Sequence, residues 1–134
     1  MKYLLDTHII IWYFKGDEKL SEKARSIIKD NSNEIYFSSI SIFEVDLKCT
    51  TKDSKMPYDG EELVKYCFNF GFNELPLKLE HALEVKNLKR KEGKLPHKDP
   101  FDNLMLAQAV AEGMKFMTHD SRIAEYDSPN IYKI

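Results

Sequence analysis

"KYLLDTHIIIWYFKG", residues 2–16, is the stretch on which the fold turns. Residues 2–6 are a short apolar run that ends on an acid, which suits a buried strand. Thr7 can cap a helix and Gly16 can close it, so residues 7–16 read as a helix following that strand. The same order recurs along the chain. "EIYFSS" (34–39) reads as a strand, and "SISIFEVDLKC" (39–49) as a helix that starts near Ser39 or Ser41. "FNELPL" (72–77) reads as a short strand, and "LEHALEVKNLKRKEG" (79–93) as a helix with a basic end. "PFDNLMLAQAVAEG" (100–113) has Pro100 at its first position and Gly113 at its stop, the usual asymmetry of a helix. "MKFMTHD" (114–120) and "NIYKI" (130–134) supply a fourth and a fifth strand. Two charged helices, "SEKARSIIKD" (21–30) and "EELVKYCFNFG" (61–71), and a loop over residues 50–60 complete the reading. Alternating strands and helices predict an α/β domain with a mainly parallel sheet of about five strands, one domain over residues 1–134.

Composition narrows the function. The formal net charge of −2 argues against a protein that holds nucleic acid by bulk attraction, while leaving room for a local basic patch. Cys49 and Cys67 lie far apart and in no metal-ligand spacing, so they read as reduced thiols of a cytoplasmic protein. Asp6 and His8 interrupt the first apolar run, and no small-residue cleavage site follows it, so it does not read as an export signal. No run reaches transmembrane length, and no membrane role is expected.

Acids stand where strands end and helices begin. Asp6 closes the first strand, Asp120 follows the fourth, Glu44 lies early in the helix after the second, and Asp102 lies in the first turn of the 100–113 helix. Strand carboxyl ends share one edge of a parallel sheet, so these four side chains can meet in one pocket. Each also has a local reading. Glu44 follows Ser41 at capping-box spacing. Asp99 before Pro100 is a good N-cap, and Asp102 favours the positive end of the helix dipole. Asp120 could cap a short helix around "SRIAEY". Asp6 has no evident structural duty. Four carboxylates within about 5 Å would repel by roughly a kcal/mol per pair even near the dielectric of water, which a cation would relieve. An all-oxygen donor set favours Mg²⁺ or Mn²⁺ over Zn²⁺, although His8 and His119 flank two of the acids and could ligate.

These stretches have a familiar look. "LLDTH", "SIFEVDLK", "HKDPFDNLMLAQA" (97–109) and "FMTHDSRIAEY" resemble, in order and over essentially the whole chain, the PIN-domain nucleases. The nearest likeness is to the VapC-like toxins of bacterial toxin–antitoxin pairs. The resemblance implies a three-layer α/β/α sandwich and Mg²⁺- or Mn²⁺-dependent cleavage of RNA. It assigns Asp6, Glu44, Asp102 and Asp120 to the catalytic site, with Glu44 at a second metal position or acting through water. Asp99 becomes an auxiliary ligand, and Thr118 and Thr7 stand beside the site. It also implies a homodimer and a small antitoxin partner. Two departures stand out: Phe43 replaces the usual Trp before the helix Glu, and Asn103 replaces the usual Arg after "DPFD".

For the RNA, the basic run "KNLKRKEGKLPHKD" offers Lys86, Lys89, Arg90, Lys91, Lys94 and Lys98, and Lys48 lies one turn beyond Glu44. "HIIIWYF" is apolar nearly all round, which fits either full burial or a face covered by a second subunit. The rival class is a receiver-like signalling domain that binds Mg²⁺, or a catalytically silent PIN module. A receiver needs paired acids at the first strand, and "LLDTH" has one.

Overall fold

The computed structural model describes residues 1–134. Its strands are β1 (Lys2–Leu5), β2 (Glu34–Ser38), β3 (Asn73–Leu75), β4 (Lys115–Thr118) and β5 (Ile131–Lys133). They form one sheet in the order β3-β2-β1-β4-β5, and every neighbouring pair is parallel. The first strand is therefore central, and the order of connection reverses between β1 and β4. Receiver domains carry the order 2-1-3-4-5, so the sheet removes that alternative.

Six helices cover the sheet: α1 (Thr7–Lys15), α2 (Glu22–Lys29), α3 (Ser39–Cys49), α4 (Gly60–Asn69), α5 (Leu79–Glu84) and α6 (Pro100–Glu112). Because successive side chains of a strand point to opposite faces, Leu5 and Met117 enter one core while Leu4 and Phe116 enter the other. The first core joins Ile9, Ile10, Ala24, Ile28, Leu63 and Cys67 from α1, α2 and α4. The second joins Met105, Leu106 and Ala109 of α6, with Ile123. The result is the expected α/β/α sandwich. Burial on both faces explains why Tyr3, Leu4 and Leu5 run on without a polar break.

Helix ends follow the capping residues. Asp6, not Thr7, caps α1, its carboxylate accepting from Thr7 N at 2.7 Å. Gly16 and Gly113 close α1 and α6 in the left-handed region, each at φ 68°, which a residue with a Cβ adopts at a cost. Ser38 caps α3 by accepting from Ile40 N. The Ser41–Glu44 capping box does not form, because both residues already lie inside the helix.

The largest departure from the sequence reading is the 79–93 segment. Helix α5 ends at Glu84, a 3-10 turn covers Val85–Asn87, and the basic residues beyond are irregular. This stretch is held by backbone pairing instead: Lys91 N donates to Glu125 O at 2.8 Å, and Asp127 N to Lys89 O at 2.7 Å.

The all-apolar face of α1 is absorbed mostly within the chain. Ile9, Ile10 and Ile11 are buried, and Tyr13 and Phe14 pack against Phe70 and Phe72. Tyr66 and Phe70 continue that aromatic cluster to the surface, while the exposed Phe68 lies edge-on to Phe37. No helix is long and apolar enough to cross a membrane. Both cysteines are unpaired, and burial pushes the Cys67 thiol up to about 12.

Candidate metal centre

Strand β1 delivers Asp6, α3 delivers Glu44, α6 delivers Asp102, and the turn after β4 delivers Asp120. All four line one cleft of about 270 Å³, together with His8, Trp12, Lys48, Asp99 and His119. The cleft lies at the carboxyl edge of the sheet, over the β1/β4 reversal, where α/β folds place their ligands.

Each acid is held from behind. Asp6 is buried, with Oδ1 on the amide of Thr7 and Oδ2 accepting from the Thr118 hydroxyl at 2.7 Å. Thr118 Oγ1 in turn accepts from Asp120 N at 3.0 Å, so one hydroxyl ties the ends of β1 and β4 together. Glu44 accepts from the Thr7 hydroxyl through Oε1 at 2.6 Å and from Lys48 through Oε2 at 2.9 Å. The hydroxyl of Ser41 lies 2.9 Å from that of Thr7, which makes Ser41 part of this buried network. Asp99 caps α6, its Oδ1 accepting from Phe101 N at 2.9 Å and Asp102 N at 3.3 Å. Asp120 Oδ1 accepts from Arg122 N at 2.7 Å.

Electrostatics show what the cluster lacks. Burial, with Asp102 and Glu44 nearby, raises Asp6 to about 7 against the hydrogen bond from Thr118. Burial likewise raises Asp102 to about 6, opposed by the hydrogen bond from His97. Burial also lowers His8. The only Lys or Arg lining the cleft is Lys48, already paired with Glu44. Carboxylates gathered in partial burial with so little opposing charge are a donor set suited to a divalent cation.

One residue escaped the sequence reading. His97 Nε2 lies 2.8 Å from Asp102 Oδ2, and the imidazole is 6 % exposed. A ligand atom from each of His97, Asp102 and Asp120 can be chosen so that all lie within 4.8 Å of one another. The turn that returns His97 to α6 is fixed by Asn103, whose amide donates to His97 O at 2.9 Å. Asn103 Oδ1 also accepts from the Tyr126 hydroxyl. Asn103 therefore holds this turn from both ends of its amide.

The basic residues divide. Lys48 lines the cleft, and Lys98 lines a neighbouring depression with His97 and Arg122. Lys86, Lys89, Lys91 and Lys94 are exposed and do not line the cleft. Arg90 is engaged in structure: its guanidinium reaches Leu95 O, Arg122 O and Glu125 Oε2 at 2.7–2.8 Å and lies over the Tyr126 ring. It pins the 90–98 segment to the turn after β4.

A five-stranded parallel sheet with an acidic cleft at its reversal point defines the class as a small α/β domain built around clustered carboxylates. The PIN domain model matches residues 3–129, and the chain belongs to that family. Solved structures agree in fold. The chain is similar to VapBC2 from Rickettsia felis bound to a promoter DNA fragment, at 17% identity and TM-score 0.67, over 100% of this chain and 98% of that one. It is similar to DNA-bound VapBC from Salmonella typhimurium, at 20% identity and TM-score 0.67, over 100% and 97%. A toxin–antitoxin complex from Klebsiella pneumoniae matches at 20% identity and TM-score 0.61, over 98% and 99%. No curated protein matches the sequence.

Proposed function

We propose that the chain is a Mg²⁺- or Mn²⁺-dependent ribonuclease, the toxin of a toxin–antitoxin pair, acting as one domain in the cytoplasm. The observation that carries this reading is the convergence of Asp6, Glu44, Asp102 and Asp120 on one cleft with almost no cation to balance them. Asp6, Asp102 and Asp120 hold the ion, with Asp99 auxiliary. Bound there, a divalent cation supplies Lewis-acid polarisation of a phosphodiester and a lower pKa for water. His97 fixes one oxygen of Asp102 and leaves the other for the cleft, the arrangement by which outer groups orient metal-binding carboxylates. Glu44 is held at both oxygens, so it either completes a second metal position or orients the attacking water from a fixed place. In-line attack by that water leaves a 5′-phosphate and a 3′-hydroxyl. A covalent route has no support, since the hydroxyls of Thr7 and Ser41 are buried against Glu44 and each other.

A homodimer and a small antitoxin are the partners of this reading. The toxin–antitoxin pairs named for the similar folds support the second, and the exposed aromatic side chains Phe43, Tyr66, Phe68 and Phe70 support a protein-covered surface. The deciding experiment incubates the folded protein with total RNA in Mg²⁺, in Mn²⁺ and in EDTA. Cleavage in either metal and none in EDTA supports the reading. RNA left intact under all three conditions overturns it.

A further inference from the structure

The acidic cleft attracts a metal and repels the polyanion it would cut, so a substrate strand needs a positive surface close by. A second groove, of about 430 Å³, opens directly from the cleft and shares His8, Trp12 and Lys48 with it. It is bounded by the last turns of α1, the turn that follows, and the loop over residues 51–57. Its cations are Lys15, Lys19, Lys48 and Lys55, and its acids are Asp17 and Asp53. Asp17 is engaged in its own turn, accepting from Lys19 N at 2.9 Å and lying 4.0 Å from the Lys15 ammonium. The sign of the surface therefore changes at Trp12, from acids on one side to lysines on the other.

Trp12 is more than a wall between the two. Its indole is half-buried and lines both cavities, with the His8 and His119 rings at 5.9 and 5.3 Å and the Lys19 ammonium 5.9 Å from its centre. An aromatic face beside a lysine-lined groove is the pairing by which proteins hold unpaired nucleotides: bases stack, and ammonium groups track the phosphates.

We propose that this groove holds a single-stranded RNA segment next to the scissile phosphate, with Lys15, Lys19 and Lys55 contacting backbone phosphates and Trp12 facing a base. The proposal rests on the ribonuclease reading and deepens it. It moves the substrate track away from the 86–94 basic run, whose lysines do not reach the cleft.

The test compares the full-length wild type with a Lys15→Gln, Lys19→Gln, Lys55→Gln variant. A Lys23→Gln, Lys29→Gln, Lys65→Gln variant makes the same change of charge on α2 and α4, away from cleft and groove. Binding of a labelled 12-nucleotide unpaired RNA is followed by anisotropy in Ca²⁺ across a salt series, and cleavage of the same RNA in Mn²⁺ gives kcat and KM. On single strands each neutralised phosphate adds about −0.7 to the slope of log K against log salt, so the groove variant should lose about two from that slope. Its KM should rise with kcat held, while the α2/α4 variant keeps the wild-type values. A wild type that cuts and binds RNA, with a groove variant of unchanged slope and KM, overturns the groove alone and leaves it as a protein-docking face. Equal losses in both triple variants also overturn it, since bulk charge would then be the cause. A wild type that neither binds nor cuts RNA overturns both readings.

Discussion

Replacing Asp6 with Asn should make the metal-free protein more stable, and by an amount that depends on pH. In the folded chain Asp6 holds its proton to about 7, against 3.8 for an ordinary aspartate. The folded state therefore binds the more protons between those values, and the contribution of Asp6 to stability is full below about pH 4 and falls as pH rises to about 7. At 1.36 kcal/mol for each tenfold, this opposes folding by roughly 1.5 kcal/mol at pH 5 and on the order of 4 kcal/mol at pH 8. Asn removes the charge and caps a helix about as well as Asp. Its amide, however, meets the Thr118 hydroxyl where the carboxylate accepted from it, a mismatch of about 1 kcal/mol. The net expectation is a gain of about 3 kcal/mol at pH 8, near 10 °C in Tm, shrinking to less than about 1 kcal/mol at pH 5. Urea and thermal unfolding in EDTA at pH 5, 6, 7 and 8 give the comparison directly. Millimolar Mn²⁺ should raise the Tm of the wild type only and close the gap. A wild type equally stable from pH 5 to 8 in EDTA would refute the argument, as would an Asn variant less stable at pH 8.

The other acids separate by their partners. Asp102→Asn should abolish RNA cleavage and weaken Mn²⁺ binding in calorimetry, whereas Asp99→Asn keeps the cap and substantial activity; the reverse pattern would exchange their roles. His97→Ala should weaken Mn²⁺ binding by about 10- to 100-fold, the usual effect of removing a group that orients a ligand, and His97→Gln should recover part of it. Titration of the two variants against wild type decides, and an unaltered affinity removes His97 from the centre. Arg90→Ala should lower stability by about 2 kcal/mol through three lost hydrogen bonds and speed proteolysis within residues 91–98. Unchanged cleavage rates in a digestion time course would show that other contacts hold the segment.

The four acids were readable because each stands at a chain position that a parallel sheet brings to one edge. Asp6 and Asp120 follow strands, and Glu44 and Asp102 lie near helix starts, so knowledge of the layers was enough. Glu44 shows the limit of spacing as a signal: Ser41 stands three residues before it as in a capping box, yet the helix starts earlier, and both side chains face Thr7 instead. His97 was hidden because its contact depends on a turn that doubles back over five residues, secured by Asn103 and Tyr126. The groove lysines were hidden for a different reason. Lys15, Lys19 and Lys55 are scattered singly and form no run, and Lys48 alone was legible, from its place one turn beyond Glu44; the conspicuous run at 86–98 is a segment tethered through Arg90.

The place of β1 at the centre of the sheet bears on how the protein is made. Asp6 and Glu44 leave the ribosome within the first half of the chain, while Asp102 and the β4 strand that carries Thr118 are synthesised near its end. Until β4 arrives, one edge of β1 has no partner and Asp6 has no hydroxyl to hold it. A nascent or broken-off chain that stops before α6 therefore contains half of the carboxylates and no cleft. The order of translation thus withholds the assembled cleft until the molecule is almost complete, and a partner that recognises the finished cleft has nothing to bind until then.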